Sequence, residues 1–153
     1  MAIAATITPA IVEALYEDAL ALTEEARMVF ELEDTRAPRG AQENARRVAL
    51  SCEALRTTTR MMHAMAWLLN HRAHFAGDLS EFQLRRHGRL PPAQPDPDRA
   101  QVALLDFYIR DVVERSLTLY ARIERLDRAW RAQFNMQPEA VHRLRERLGQ
   151  AFC

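Results

Sequence analysis

Few side chains in this sequence stand at spacings that chemistry would need. Glu139-Ala140-Val141-His142 has the Glu-x-x-His spacing with which helical bundles hold paired metal ions. Such centres take two of these motifs and two further glutamates from long helices, and here one motif stands on a short terminal segment. His71 and His74 are one helical turn apart and could reach one ion from the same face. His63, eleven residues before His74, would lie about 16 Å away along a helix axis and cannot join them. No third ligand is identifiable, so a metal-dependent bundle enzyme is kept only as a distant alternative, and no metal or cofactor is expected. Gly40, Gly77, Gly88 and Gly149 form no phosphate-cradling loop, and no strand pattern exists to present a nucleophilic serine. The expectation is a protein that is not an enzyme.

A different group of residues has the chemistry of contact surfaces. Arg56, Arg60, His63, Trp67, His71 and His74 step by 4, 3, 4, 4 and 3, a stripe of flat amphipathic side chains along one helix. Such groups bury area while keeping a polar handle, which suits protein recognition; the plainer reading is a half-exposed flank with Trp67 packed on a neighbouring helix. Arg85, Arg86 and Arg89 could meet phosphate, but no aromatic residues alternate with them. The 21 positive and 21 negative charges cancel, so a solvated loop is the better account and no nucleic-acid partner is expected.

These residues must be positioned by helices. Thr8-Pro9 is a helix start, and Ile11, Leu15, Ala19, Leu22, Ala26 and Val29 make one apolar stripe, predicting a helix over about 9–32. Pro38 and Gly40 end it. In the second helix, about 42–76, Val48, Cys52, Leu55, Thr59, Met62, Ala66, Leu69 and Ala73 alternate spacings of 4 and 3 without a break. That pattern is a coiled-coil seam and reads as the buried face, with Ala54, Met61, Met65 and Leu68 as a second apolar flank. Residues 77–97 form a linker: Ser80 and Gln83 can cap a short helix, and Pro91, Pro92, Pro95 and Pro97 forbid a longer one. Asp98 caps the third long helix, about 98–134, whose seam is Val102, Leu105, Ile109, Val112, Ser116, Leu119, Ile123, Leu126 and Trp130. Asp106/Arg110, Asp111/Arg115, Glu124/Arg128 and Asp127/Arg131 are spaced as ion pairs on its outer face. Pro138 opens a short terminal helix to about residue 149. The whole, 1–153, is one domain: an all-α, elongated, antiparallel three-helix bundle with a short linker helix and a short C-terminal helix.

Composition agrees. Hydrophobic residues make up 48% and charged residues 27% of 153, enough for one core. All the cations are arginine, as expected from a GC-rich genome. Cys52 and Cys153 do not make a disulfide framework, which fits a reducing compartment. Met1 to Ile7 do not read as a signal peptide and no stretch nears 18 apolar residues, so the expected location is cytoplasmic and no membrane association is foreseen.

Three segments together resemble a known family. They are Leu15-Tyr16 with Ala19-Leu20-Ala21-Leu22 and Glu24-Glu25-Ala26-Arg27; Glu53-Ala54-Leu55-Arg56, Thr58-Thr59-Arg60-Met61-Met62 and Ala66-Trp67-Leu68-Leu69, closing with Arg72-Ala73; and Arg115-Ser116-Leu117, Leu119-Tyr120, Arg122-Ile123 and Arg125-Leu126-Asp127. Together they cover roughly half the chain and resemble the alphaproteobacterial regulator-of-CtrA-degradation family, whose members are three-helix bundles. The resemblance implies a non-enzymatic adaptor that helps the ClpXP protease receive the cell-cycle regulator CtrA, acting with other adaptors and a cyclic-di-GMP-binding partner. The linker from Arg85 to Pro97 and the helix after Asn135 depart from the family pattern. Arg56, Arg60, Trp67, Arg72, Arg115, Tyr120 and Arg122, the polar or aromatic members of these segments off the apolar seams, are the expected outward-facing contact residues. The rival expectation is a dimeric helical scaffold unrelated to proteolysis, and a homodimer is compatible with either.

Overall fold

Thr8 starts the first helix as its spacing demands. In the computed structural model, which describes residues 6–39, 41–135 and 138–151 and all of their side chains except 135 and 138–142, Thr8 Oγ1 accepts the Ile11 N–H at 3.2 Å. Pro9 occupies the first turn of α1 (Pro9–Asp34), where no hydrogen bond is forfeited. The second helix, α2 (Glu43–Phe75), runs 33 residues, about 50 Å. It stops at Gly77, whose φ of +85° closes a left-handed turn that residues with a Cβ resist. Ser80 and Gln83 form the expected capping box at the start of α3 (Glu81–His87): Ser80 Oγ accepts Gln83 N–H at 3.2 Å, and Ser80 N–H reaches Gln83 Oε1 at 2.9 Å.

The third long helix is interrupted where continuity was expected. Asp98 caps a single turn, α4 (Arg99–Val102), and α5 (Phe107–Asn135) follows after a break. In the break the Leu104 and Leu105 amides bond three residues back, to Gln101 O at 3.1 Å and Val102 O at 3.0 Å, and the helix restarts with Arg110 N–H on Asp106 O. The tightened turn drives Leu105 into the core, and Asp106 gives its carboxylate to Arg36, just past the end of α1, in place of Arg110. The last element is α6 (Pro138–Ala151).

Ion pairs and hydrogen bonds set the directions. Glu13 holds Arg72 at 3.0 Å and Glu33 holds Arg46 at 2.8 Å, so α1 and α2 run antiparallel. Glu25 holds Arg115, and Asp18 shares a crevice with Arg122, so α1 is antiparallel to α5 as well. In contrast, α2 and α5 rise together: Arg60 meets Ser116, Trp67 meets Asp127 and His71 meets Trp130. The expected all-helical bundle is present, but one of its three pairings is parallel.

The proline-rich stretch makes that possible. Arg85 stacks on Phe134, 3.4 Å from the ring centre; Pro91 O accepts the Tyr120 O–H at 2.6 Å; Ala93 and Gln94 share a crevice with Arg60 and Leu117. The chain therefore travels back along α5 from its C-terminal end towards its start. Four prolines keep it extended, and Leu90 anchors it in the core. What reads as a free linker is a packed strap.

One core joins Val12, Leu15, Ala19 and Leu22 of α1 with Met61, Ala64, Trp67 and Leu68 of α2 and Val112, Leu119 and Ile123 of α5. A smaller one joins Ala49, Leu50, Leu105, Ile109 and Val113. Each large side chain so buried contributes on the order of 2 kcal/mol. Among the described residues, no helix is long and apolar enough to cross a membrane.

Candidate protein-interaction site

Two stripes of heptad spacing lie on α2, and their roles are the reverse of those expected. The seam of Val48, Leu55, Met62 and Leu69 faces solvent, these side chains being 57%, 69%, 64% and 46% exposed. The arginine, tryptophan and histidine stripe faces α5: Arg60, Trp67 and His71 are 4%, 2% and 1% exposed. The polar stripe can be inward because α5 supplies its partners, so its desolvation leaves few groups unsatisfied. Arg60 Nη1 donates to Ser116 Oγ at 2.7 Å, and that hydroxyl donates in turn to Val113 O at 2.7 Å. Trp67 Nε1 donates to Asp127 Oδ1 at 3.0 Å. Asp127 is itself fully buried, so its pair with Arg131, at 2.8 Å but out of line for a hydrogen bond, is not the outer-face pair anticipated. Glu53 is buried beside Arg56.

This placement corrects the outward reading of Arg60, Trp67 and Tyr120. All three hold the bundle together, and Tyr120 does so by fastening the strap through Pro91. Burial holds the Arg60 guanidinium below its ordinary pKa, opposed by the charge of Glu53. Burial likewise raises the Tyr120 hydroxyl, with Glu124 and Asp127 adding to it. Arg56, Arg72, Arg115 and Arg122 remain accessible in varying degree. Arg56 leans on Glu53 at 3.3 Å, and Arg72 pairs with Glu13 while lying over the Tyr16 ring, 4.1 Å from its centre. Arg115 bonds Glu25 and Asp111, and the Glu25 hydrogen bond chiefly raises its pKa. Arg122 is exposed on the crevice shared by Leu22, Glu25 and Leu119.

The histidine pair does not assemble. His71 lies between Trp67 and Trp130, with ring centres 4.0 Å and 5.2 Å away, while His74 Nδ1 meets Leu79 O at 3.0 Å. Burial depresses the His71 pKa to about 4, helped by His74, so the ring is neutral at pH 7. Among the described residues no three histidine, cysteine, aspartate or glutamate side chains converge as metal ligands would. Glu139 and His142 lie outside the described side chains.

A surface is left that the arginines did not point to. Positions 44, 48, 51, 52, 55, 58, 59, 62, 66, 69, 70 and 73 follow one another around the outer face of α2, and none carries a charge. Beside this face, α1 and α2 enclose a groove of about 440 Å³ lined by Ala26, Phe30, Ala54, Met61, Met62 and Met65, with Arg27 and Glu31 on its rim. Methionine side chains adapt to irregular apolar partners, and an uncharged strip of this length is unusual on a solvated helix. The apolar flank of Ala54, Met61 and Met65 was legible in the sequence; its position at a groove mouth was not.

No curated protein and no solved structure matches the chain. A family model described as a protein of unknown function (DUF1465) matches residues 3–152, nearly the whole length. The chain belongs to the DUF1465 family.

Proposed function

We propose that this protein is a non-enzymatic adaptor for regulated proteolysis, delivering a cell-cycle regulator such as CtrA to ClpXP. The observation that carries the reading is the uncharged, solvent-facing side of α2 with the methionine-lined groove beside it. An apolar segment of a partner protein fits such a groove, with Arg27 and Glu31 giving polar contacts at its edge. The link to proteolysis rests on the resemblance of the three helical segments to the regulator-of-CtrA-degradation family. The DUF1465 match spans all three of these segments.

The test reconstitutes ClpXP, its associated adaptors and a tagged cargo, and measures cargo loss with and without this protein. Cargo degradation should accelerate, and Met65→Glu, which puts a carboxylate in the groove, should abolish the acceleration while the helical circular dichroism persists. Unchanged degradation in the presence of the folded wild-type protein refutes the adaptor reading. Co-purification of native partners that lack any ClpXP component would favour the scaffold alternative.

A further inference from the structure

Arg60 is a cation buried without a counter-charge. It is 4% exposed, and its hydrogen bond within the bundle goes to the neutral Ser116 hydroxyl at 2.7 Å. Among the described residues no carboxylate stands within ion-pair distance of it. The charge that does most to offset it, that of Glu53, already holds Arg56 at 3.3 Å. Keeping a guanidinium from water with so little return is costly, and an apolar residue would avoid the cost. Beside it there is space: Arg60 lines a crevice of about 260 Å³ between α2, α5 and the strap.

The other walls have the opposite deficit. Gln94 of the strap has a buried Oε1 that accepts no hydrogen bond from the described residues, and Asp96, also on the crevice, has no ion pair among them. The crevice therefore holds a donor that lacks an anion and acceptors that lack a cation, with Ala93, Leu117 and Ala121 as apolar wall. A free α-amino acid carries both missing charges on neighbouring atoms, and an aliphatic side chain suits the wall. The volume lies just below the roughly 300 Å³ at which pockets for drug-sized ligands begin, so the occupant must be small. We propose that this crevice binds a small aliphatic α-amino acid, its carboxylate on Arg60 and its ammonium group on Gln94 Oε1 and Asp96. The walls are fixed in advance: Tyr120 fastens the strap through Pro91 at 2.6 Å, and Ser116 holds the guanidinium. Binding here is independent of the adaptor reading, because the methionine groove lies between α1 and α2 instead.

Isothermal titration calorimetry of the full chain with L-leucine and with L-valine should show saturable binding of one molecule per chain. Isocaproate, which is leucine without its ammonium group, and L-leucinamide, which has no carboxylate, should each bind about tenfold more weakly or worse. Arg60→Met keeps much of the side chain's bulk, removes its charge, and should abolish binding while the helical circular dichroism persists. Ala121→Leu fills the crevice from an exposed position, leaves Arg60 in place, and should also abolish binding. The two analogues and Ala121→Leu decide the matter even where Arg60→Met fails to fold. Three results overturn the proposal: no binding of either amino acid at millimolar concentration, an analogue that binds as tightly as leucine, or undiminished binding by folded Ala121→Leu.

Discussion

His71 couples the fold to acid in an amount that its surroundings fix. The ring is 1% exposed between Trp67 and Trp130, its Nε2 has no hydrogen-bond partner, and burial lowers its pKa from 6.5 to about 4. Between those two values the unfolded chain binds a proton that the folded chain refuses. The stability due to the neutral ring is therefore complete above about pH 6.5 and is lost as the pH falls towards 4. At pH 5 the loss amounts to about 2 kcal/mol, against less than ~0.1 kcal/mol at pH 7.5. Urea denaturation at these two pH values measures it, and subtracting the change seen in a variant without the histidine cancels the other titrating groups. His71→Phe keeps a ring between the tryptophans and removes the titration. The wild type should lose about 2 kcal/mol more than His71→Phe between pH 7.5 and 5. Equal losses in the two proteins would refute the reasoning.

Trp67→Phe keeps an aromatic ring in the core but leaves Asp127 Oδ1 without its donor, a buried carboxylate oxygen exposed to nothing. It should cost about 1–3 kcal/mol by urea denaturation, and Trp67→Phe with Asp127→Asn should recover part of that. Gly88→Ala should destabilise by more than ~1 kcal/mol, because the added Cβ would stand 2.6 Å from both the Leu84 carbonyl oxygen and its side chain, at the point where α3 turns into the strap.

Much of this fold can be read along the chain. The Thr8-Pro9 start, the stripe of α1, the capping box at Ser80 and the seam of α5 all state local rules that packing leaves intact. The orientation of α2 could not be read in the same way. Periodicity finds a stripe but not the side it faces, and α2 has two stripes at similar spacing. What decides between them is distant in sequence: Ser116 and Asp127 satisfy Arg60 and Trp67, so the polar stripe can be buried and the apolar one left outside. The strap escaped for a related reason. Prolines announce that no helix forms, but they do not say that Tyr120 and Phe134 wait on α5 to hold the chain down. The contact residues are the least legible, since arginine and tyrosine read as surface residues where Arg60 and Tyr120 are interior ones.

The parallel course of α2 and α5 also orders the assembly of the molecule in time. Glu33 and Arg46 close a loop of 13 residues, whereas Arg60 and Ser116 are separated by 56. Closing the longer loop costs roughly 1.3 kcal/mol more in chain entropy, before the strap is itself ordered. The α1–α2 hairpin is thus the near contact and the docking of α5 the remote one. A chain emerging from the ribosome completes α2 forty residues before Ser116 is made. Until α5 docks, Glu53, Arg60 and His71 face water on the side of the hairpin that α5 will later cover. The same groups that cost desolvation in the finished bundle shield its unfinished half.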